Sequence, residues 1–179
     1  TIEGYTDISG GVFRNTKIMS MNVLSSVETI GVSAFEDTSL NTIMFANDSS
    51  LNTIGDYAFK STDISMISIP DNVVNIGVGA FSNSNIDTII FSDNSKFTTI
   101  SDSLFENILT LEKIVIPNNV TQIGNNAFKN TGLSIITFLD NPTLNIIGDY
   151  AFQNTDISFI EIPENVTLIG SGVFSDSSL

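Results

Sequence analysis

Cysteine and histidine are absent from this chain of 179 residues, and lysine and arginine together number only six. Without Cys or His there is no thiolate nucleophile, no thiol or imidazole metal site, no disulfide and no triad with an imidazole base. The redox compartment stays undetermined, since a Cys-free chain is indifferent to it. Six cations against 20 carboxylates give a net charge of −14. That balance cannot supply the basic stripe that tracks nucleic-acid phosphates, nor the patch that holds an anionic membrane surface. No apolar run approaches the roughly 18 residues that span a bilayer. The opening Thr1-Ile2-Glu3-Gly4 lacks the basic start and apolar core of a signal peptide. The first and last residues fall inside repeats, so the chain is expected to be a fragment of a longer protein.

What the chain has in abundance is one recurring phrase. Ile-Gly-x-x-Ala-Phe stands at Ile30–Phe35, Ile54–Phe59 and Ile76–Phe81, with close copies at Ile123–Phe128 and Ile147–Phe152. Looser copies run Ile8–Phe13, Ile100–Phe105 and Ile169–Phe174. The phenylalanines lie at 13, 35, 59, 81, 105, 128, 152 and 174, so the period alternates between 22 and 24 with one step of 23. Such a period with this apolar pattern marks a leucine-rich solenoid. The expected fold is an α/β repeat of about eight units of 22–24 residues, one right-handed solenoid over 1–179 with a parallel sheet on one face and short helices on another. At ~4.8 Å per strand its length is on the order of 38 Å.

Within each repeat, apolar residues follow the Phe at fixed offsets. Ile64, Ile67 and Ile69 follow Phe59, Ile86, Ile89 and Phe91 follow Phe81, and Leu111, Ile114 and Ile116 follow Phe105 after one inserted residue. The last two of each set are spaced by two and rich in β-branched residues, which reads as a strand with one face inward. Stacked once per repeat, these strands are expected to pair into one long parallel sheet. A second short extended segment is expected just before each Ile-Gly. Repeats of one kind close the strand with proline, as in Ile69-Pro70-Asp71-Asn72-Val73, Ile116-Pro117-Asn118-Asn119-Val120 and Ile162-Pro163-Glu164-Asn165-Val166. The other kind uses a longer polar loop, such as Phe45–Ser50 and Phe91–Lys96. Asp56, Asp102, Asn125 and Asp149, next to the Gly or Ser, are expected to cap short helices. Asn or Asp two residues after the Phe suits a corner that tolerates left-handed backbone.

These residues resemble the BspA-like (treponemal-type) leucine-rich repeats, whose pattern is close to Leu-x-x-Ile-x-Ile-Pro-x-x-Val-x-x-Ile-Gly-x-x-Ala-Phe-x-x-Cys. Residues Ile64–Phe81, Leu111–Phe128 and Ile157–Phe174 follow it nearly word for word. The family's Cys is replaced throughout, by Thr38, Thr62, Ser84, Ile108 and Thr131 among others. The resemblance implies a surface-exposed or secreted protein of a host-associated microbe, with an adhesive or ligand-binding array and no catalytic residue or cofactor.

Binding is sought first on the outward strand positions. One column reads Ser20, Thr42, Met66, Thr88, Lys113, Ile135, Phe159, and the other Asn22, Met44, Ser68, Ile90, Val115, Thr137, Glu161. A merely solvated face would be mostly polar. Met44, Met66, Ile90, Lys113, Val115, Ile135 and Phe159 are therefore the candidate contacts for a protein ligand, such as a host matrix or surface protein. The competing explanation is that β propensity alone fills an exposed sheet with Ile, Val and Thr. Asp48, Asp93 and Asp140 are expected to stack on one edge, where oxygens could hold Ca²⁺, which wants six to eight or so of them, but no Asp-x-Asp-x-Asp spacing occurs and turn chemistry explains them without a metal. Carboxylate neighbours Glu3/Asp7 and Glu36/Asp37 invite a glycosidase reading that nothing in the pattern sets in a cleft. Asn47, Asn119 and Asn165 begin glycosylation-type triplets, a frequent accident in an Asn- and Ser-rich chain. Tyr57 and Tyr150 share one anchor position, which packing explains. Alternatives to a binding module are a spacer that holds another domain off the cell surface and a targeting array of a larger secreted enzyme. Apolar end coils also suggest end-to-end self-association.

Overall fold

The computed structural model describes residues 4–92, 94–139 and 142–179. Two sets of short parallel strands alternate along the chain. The longer set is β2 (Ser20–Val23), β4 (Thr42–Phe45), β6 (Met66–Ile69), β8 (Thr88–Phe91), β10 (Lys113–Ile116) and β12 (Ile135–Phe138). The shorter set is β1 (Asp7–Ile8), β3 (Thr29–Ile30), β5 (Thr53–Ile54), β7 (Asn75–Ile76), β9 (Thr99–Ile100), β11 (Gln122–Ile123), β13 (Ile146–Ile147) and β14 (Leu168–Ile169). The short set forms two four-stranded parallel sheets, β1-β3-β5-β7 and β14-β13-β11-β9. The chain is a parallel β-solenoid of about 7 turns.

The expected short helices do not form; among the described residues there is no helix, and the class is all-β rather than α/β. The backbone explains why. In each coil the fourth residue of the anchor phrase takes left-handed φ, at Ser33 (54°), Tyr57 (56°), Ser103 (54°), Asn126 (56°) and Tyr150 (57°), and at Gly11, Gly79 and Gly172. Four residues later the corner does so again, from Asn15 to Asp176. A right-handed helix cannot pass through such residues. Alternate N–H groups of the segment point to the next coil instead: Ser33 donates to the Asp56 carbonyl, Phe35 to Ala58 and Asp37 to Lys60. The intervening N–H groups of Ala34 and Glu36 close turns on Gly31 and Ser33. The segment is a third inter-coil ladder built from successive turns.

The expected helix caps take part in the same stacking. Asp56 Oδ1 accepts the Val78 N–H at 2.9 Å, Asp102 that of Asn125 at 2.7 Å, Asn125 that of Asp149 at 2.8 Å, and Asp149 that of Ser171 at 2.7 Å. Each bridges to the following coil rather than capping its own. The glycine of the phrase is required by proximity: a Cβ on Gly148 would lie 2.7 Å from the Asn125 backbone nitrogen. Where Ser101 replaces that glycine, its hydroxyl donates to the Ile76 carbonyl of the coil before.

The core is a set of ladders. All eight anchor phenylalanines stack face to face, centroids 5.1–5.8 Å apart and rings within 19° of parallel. Beside them the Ile and Leu columns are almost wholly buried. Where the family pattern has Cys, three residues after the Phe, Thr38, Thr62, Thr131 and Thr155 fold their hydroxyls back onto the Phe carbonyl at 2.8–3.0 Å, whereas Ser84 does not and Ile108 has no hydroxyl.

The outer sheet is not continuous. It is three separate pairs, β2-β4, β6-β8 and β10-β12. Pairing joins strands 22 residues apart, such as Met66 with Thr88 and Lys113 with Ile135. It fails from β4 to β6 and from β8 to β10, where the longer polar loop has intervened. At these junctions an asparagine of the proline loop takes over. Asn72 Nδ2 donates to the Ser49 carbonyl, and Asn119 Nδ2 to that of Ser95, at 2.9 and 2.8 Å. In the last coil Asn165 does the same to Pro142, and residues 159–162 form no strand.

Candidate functional site

Alternation along each strand of the outer sheet puts Met44, Met66, Ile90, Lys113, Val115 and Ile135 in solvent, while Ile43, Ile67, Ile69, Ile114 and Ile116 point into the core. The apolar members of the outward set are 46–57% exposed. Phe159 is 71% exposed but sits beyond the last paired strand. Register brings the strand residues together two by two. Met44 lies across from Asn22, Met66 from Thr88, Ile90 from Ser68, Val115 from Thr137, and Ile135 from Lys113. The face therefore mixes apolar side chains with short hydroxyls and one cation.

Grooves open where the sheet splits. Between β4 and β6 a groove of about 590 Å³ is lined by Met44, Ser68 and Pro70 with the polar loop residues Asn47, Asp48, Asp71 and Asn72. Between β8 and β10 a groove of about 630 Å³ is lined by Asp87, Glu112, Lys113, Val115 and Ile135 among others. Sequence reasoning named the apolar columns but not these grooves, because it expected an unbroken sheet. The alternating loop length was the available signal.

The remaining candidates resolve into structural roles or fall outside what is described. Glu3, Asp93 and Asp140 are not among the described residues, and no group of three or more metal-ligating side chains gathers among those that are. Asp48 is exposed on the β4–β6 groove. Glu36 is 5% exposed and held between Arg14 Nε and Lys60 Nζ, each at 3.1 Å. Burial pushes its carboxyl pKa up. Hydrogen bonds from Ser33 and Lys60 and the charges of Lys60 and Arg14 outweigh that and hold it below the usual value of 4.5. A carboxylate so tied is an inter-coil clamp rather than a free acid or base. Asn119 and Asn165 each donate a side-chain amide hydrogen to a carbonyl of the preceding coil, a structural role that accounts for both. Tyr57 and Tyr150 lie against Gly79 and Gly172 of the next coil, where a Cβ would meet the ring at 2.6 and 2.5 Å. Lys60 and Lys129 sit over the two rings at 5.4 and 6.0 Å. Val12 and Met19 near one end, and Leu168 and Ile169 near the other, are exposed.

A family model described as BspA type leucine rich repeat region matches residues 6–134 and 52–179 with six copies. Among solved structures, a leucine-rich repeat protein from Bacteroides ovatus is similar at 29% identity and TM-score 0.83, covering 94% of this chain and 44% of that one. The pneumococcal vaccine antigen PcpA shares the fold at 23% identity and TM-score 0.79, covering 97% of this chain and 56% of that one. The chain spans about half the length of these solved proteins. No curated protein matches it.

Proposed function

We infer, from a chain that belongs to the BspA-type leucine-rich-repeat family, that it is a non-catalytic protein-binding array of a cell-surface or secreted protein, serving adhesion to a host factor. The observation that carries this reading is the exposure of Met44, Met66, Ile90, Val115 and Ile135 in the two outward columns, with Phe159 beyond them. Large exposed apolar patches mark interaction surfaces. A spacer would leave that face polar, which speaks against the second reading. The surface or secreted location, and a host matrix or surface protein as ligand, follow from the family resemblance.

The test is capture of extracellular-matrix and host-surface proteins by this chain and by Met66→Asp/Ile135→Asp. Both positions are solvent-exposed, so the double variant is expected to fold, as checked by circular dichroism. Capture that disappears in the folded variant supports the outer sheet as the adhesive face. Equal capture by both proteins would refute it, and capture by neither would favour the spacer.

A further inference from the structure

Size decides what else a partner must touch. Six strands at ~4.8 Å spacing and four residues at ~3.3 Å make an outer sheet of roughly 28 by 13 Å, or roughly 370 Å² in projection. A specific interface buries about 800 Å² on each partner. A protein wider than this strip of roughly 13 Å, docked on the apolar columns, also meets the borders of the sheet, and those borders are mainly acidic. Asp63, Asp87, Glu112 and Asp156 are exposed on the segments leading toward the strand positions, where Lys17 is the cation, and Asp48, Asp71 and Glu164 on the opposite border, where Lys96 is. The ion pairs among the described residues both belong to Glu36, so none of these carboxylates has a cation of its own. Lys113 is the one cation in the two outward columns.

The groove that opens at β8 and β10 and reaches β12 concentrates this pattern, with Asp87 and Glu112 beside Val115 and Ile135 and Lys113 as its one cation. Among the described residues, the side-chain hydrogen bond that Asp87 accepts comes from the neighbouring Thr88 hydroxyl, at 2.7 Å. We propose that this groove receives a basic amphipathic segment of the partner polypeptide, its Lys or Arg side chains at Asp87 and Glu112 and its apolar side chains on Val115 and Ile135. The proposal rests on the outer sheet being the docking face and adds the chemistry of what docks there. Complementary charge at a border speeds encounter and rejects acidic partners.

Three synthetic peptides of equal length serve as probes: alternating Lys and Val, alternating Glu and Val, and alternating Lys and Ser. Fluorescence anisotropy reads their binding to the full chain and to three double variants. The Lys/Val peptide is expected to bind and the other two to bind at least about tenfold more weakly. Asp87→Asn/Glu112→Gln is expected to weaken Lys/Val binding about three- to tenfold and to reduce its salt dependence. Glu28→Gln/Glu106→Gln removes equal charge away from the outer sheet and is expected to change nothing. If that control weakens binding as much as the groove variant, or if the Glu/Val peptide binds equally well, the proposal is overturned. Met66→Thr/Ile135→Thr separates the two readings. Binding that falls in this variant but ignores the groove carboxylates overturns the basic-partner proposal and leaves the docking face standing. Binding indifferent to this variant removes the docking face itself.

Discussion

Thr62 and Ser84 occupy the same position in successive coils, three residues after Phe59 and Phe81, yet their hydroxyls have opposite fates. Thr62 Oγ1 is buried and donates to the Phe59 carbonyl at 2.9 Å. Ser84 Oγ is equally buried, and among the described residues it is the side-chain oxygen left without a hydrogen-bond partner. Replacing Thr62 by Val keeps the shape, but it strands a buried carbonyl, which costs about 1–3 kcal/mol. Replacing Ser84 by Ala removes a desolvated hydroxyl that gains nothing, so it is expected to be neutral or stabilising by up to about 1–2 kcal/mol. The assay is urea unfolding of both variants beside the parent chain, read as midpoint shifts at constant slope. Opposite signs, Thr62→Val lower and Ser84→Ala equal or higher, follow from the ladder as described. A loss at Ser84→Ala equal to that at Thr62→Val would mean that the Ser84 hydroxyl is satisfied, and would refute this account of the corner.

Gly148→Ala places a Cβ 2.7 Å from the Asn125 backbone nitrogen and is expected to cost about 1–3 kcal/mol in thermal or urea unfolding, whereas Gly11→Ala meets open space and incurs only the cost of the left-handed φ that Ser33 and Tyr57 already adopt in the same column. Asn119→Ala removes the amide that holds the β8–β10 junction, leaves the Ser95 carbonyl without it, and is expected to lower stability by about 1 kcal/mol. Glu36 has its folded pKa below 4.5, so its clamp contributes in full above that value and is lost as pH falls through the lowered folded pKa. The stability gap between the parent chain and Glu36→Gln, on the order of 1 kcal/mol because Arg14 and Lys60 are partly screened, is therefore expected to hold at neutral pH and close below 4.5 in an acid titration of unfolding midpoints.

Much of this architecture is written in periodicity. The outward and inward columns follow from spacing by two, and the Phe stack follows from a repeat of 22–24 residues. The short extended segment before each Ile-Gly was also legible, and it forms the more continuous of the strand ladders. The helices were misjudged because a Gly followed by Asp, then Ala and Phe, satisfies local helix-capping chemistry. What overrides it is non-local: backbone groups of each turn bond to the next coil, which demands left-handed φ at Ser33, Tyr57, Ser103 and their equivalents. A signal was present in Gly11, Gly79 and Gly172, which share that column, although Gly79 and Gly172 are also required by the Tyr57 and Tyr150 rings packed against them. The unbroken sheet was misjudged because local strand character says nothing about pairing. The inserted loop residues and the asparagines of the proline loops decide that. Glu36 is ordinary on paper, and only its stacking between Arg14 and Lys60 makes it a clamp.

The central claim, that the outer sheet is the face that binds, is tested most directly by hydrogen exchange on the chain alone and with a captured protein bound. The account predicts slowed exchange in Thr42–Phe45, Met66–Ile69, Thr88–Phe91, Lys113–Ile116 and Ile135–Phe138 and in the loops bordering them, with the turns around Phe35, Phe59 and Phe81 unchanged. Protection confined to those turns, with the outer strands exchanging as before, would contradict it.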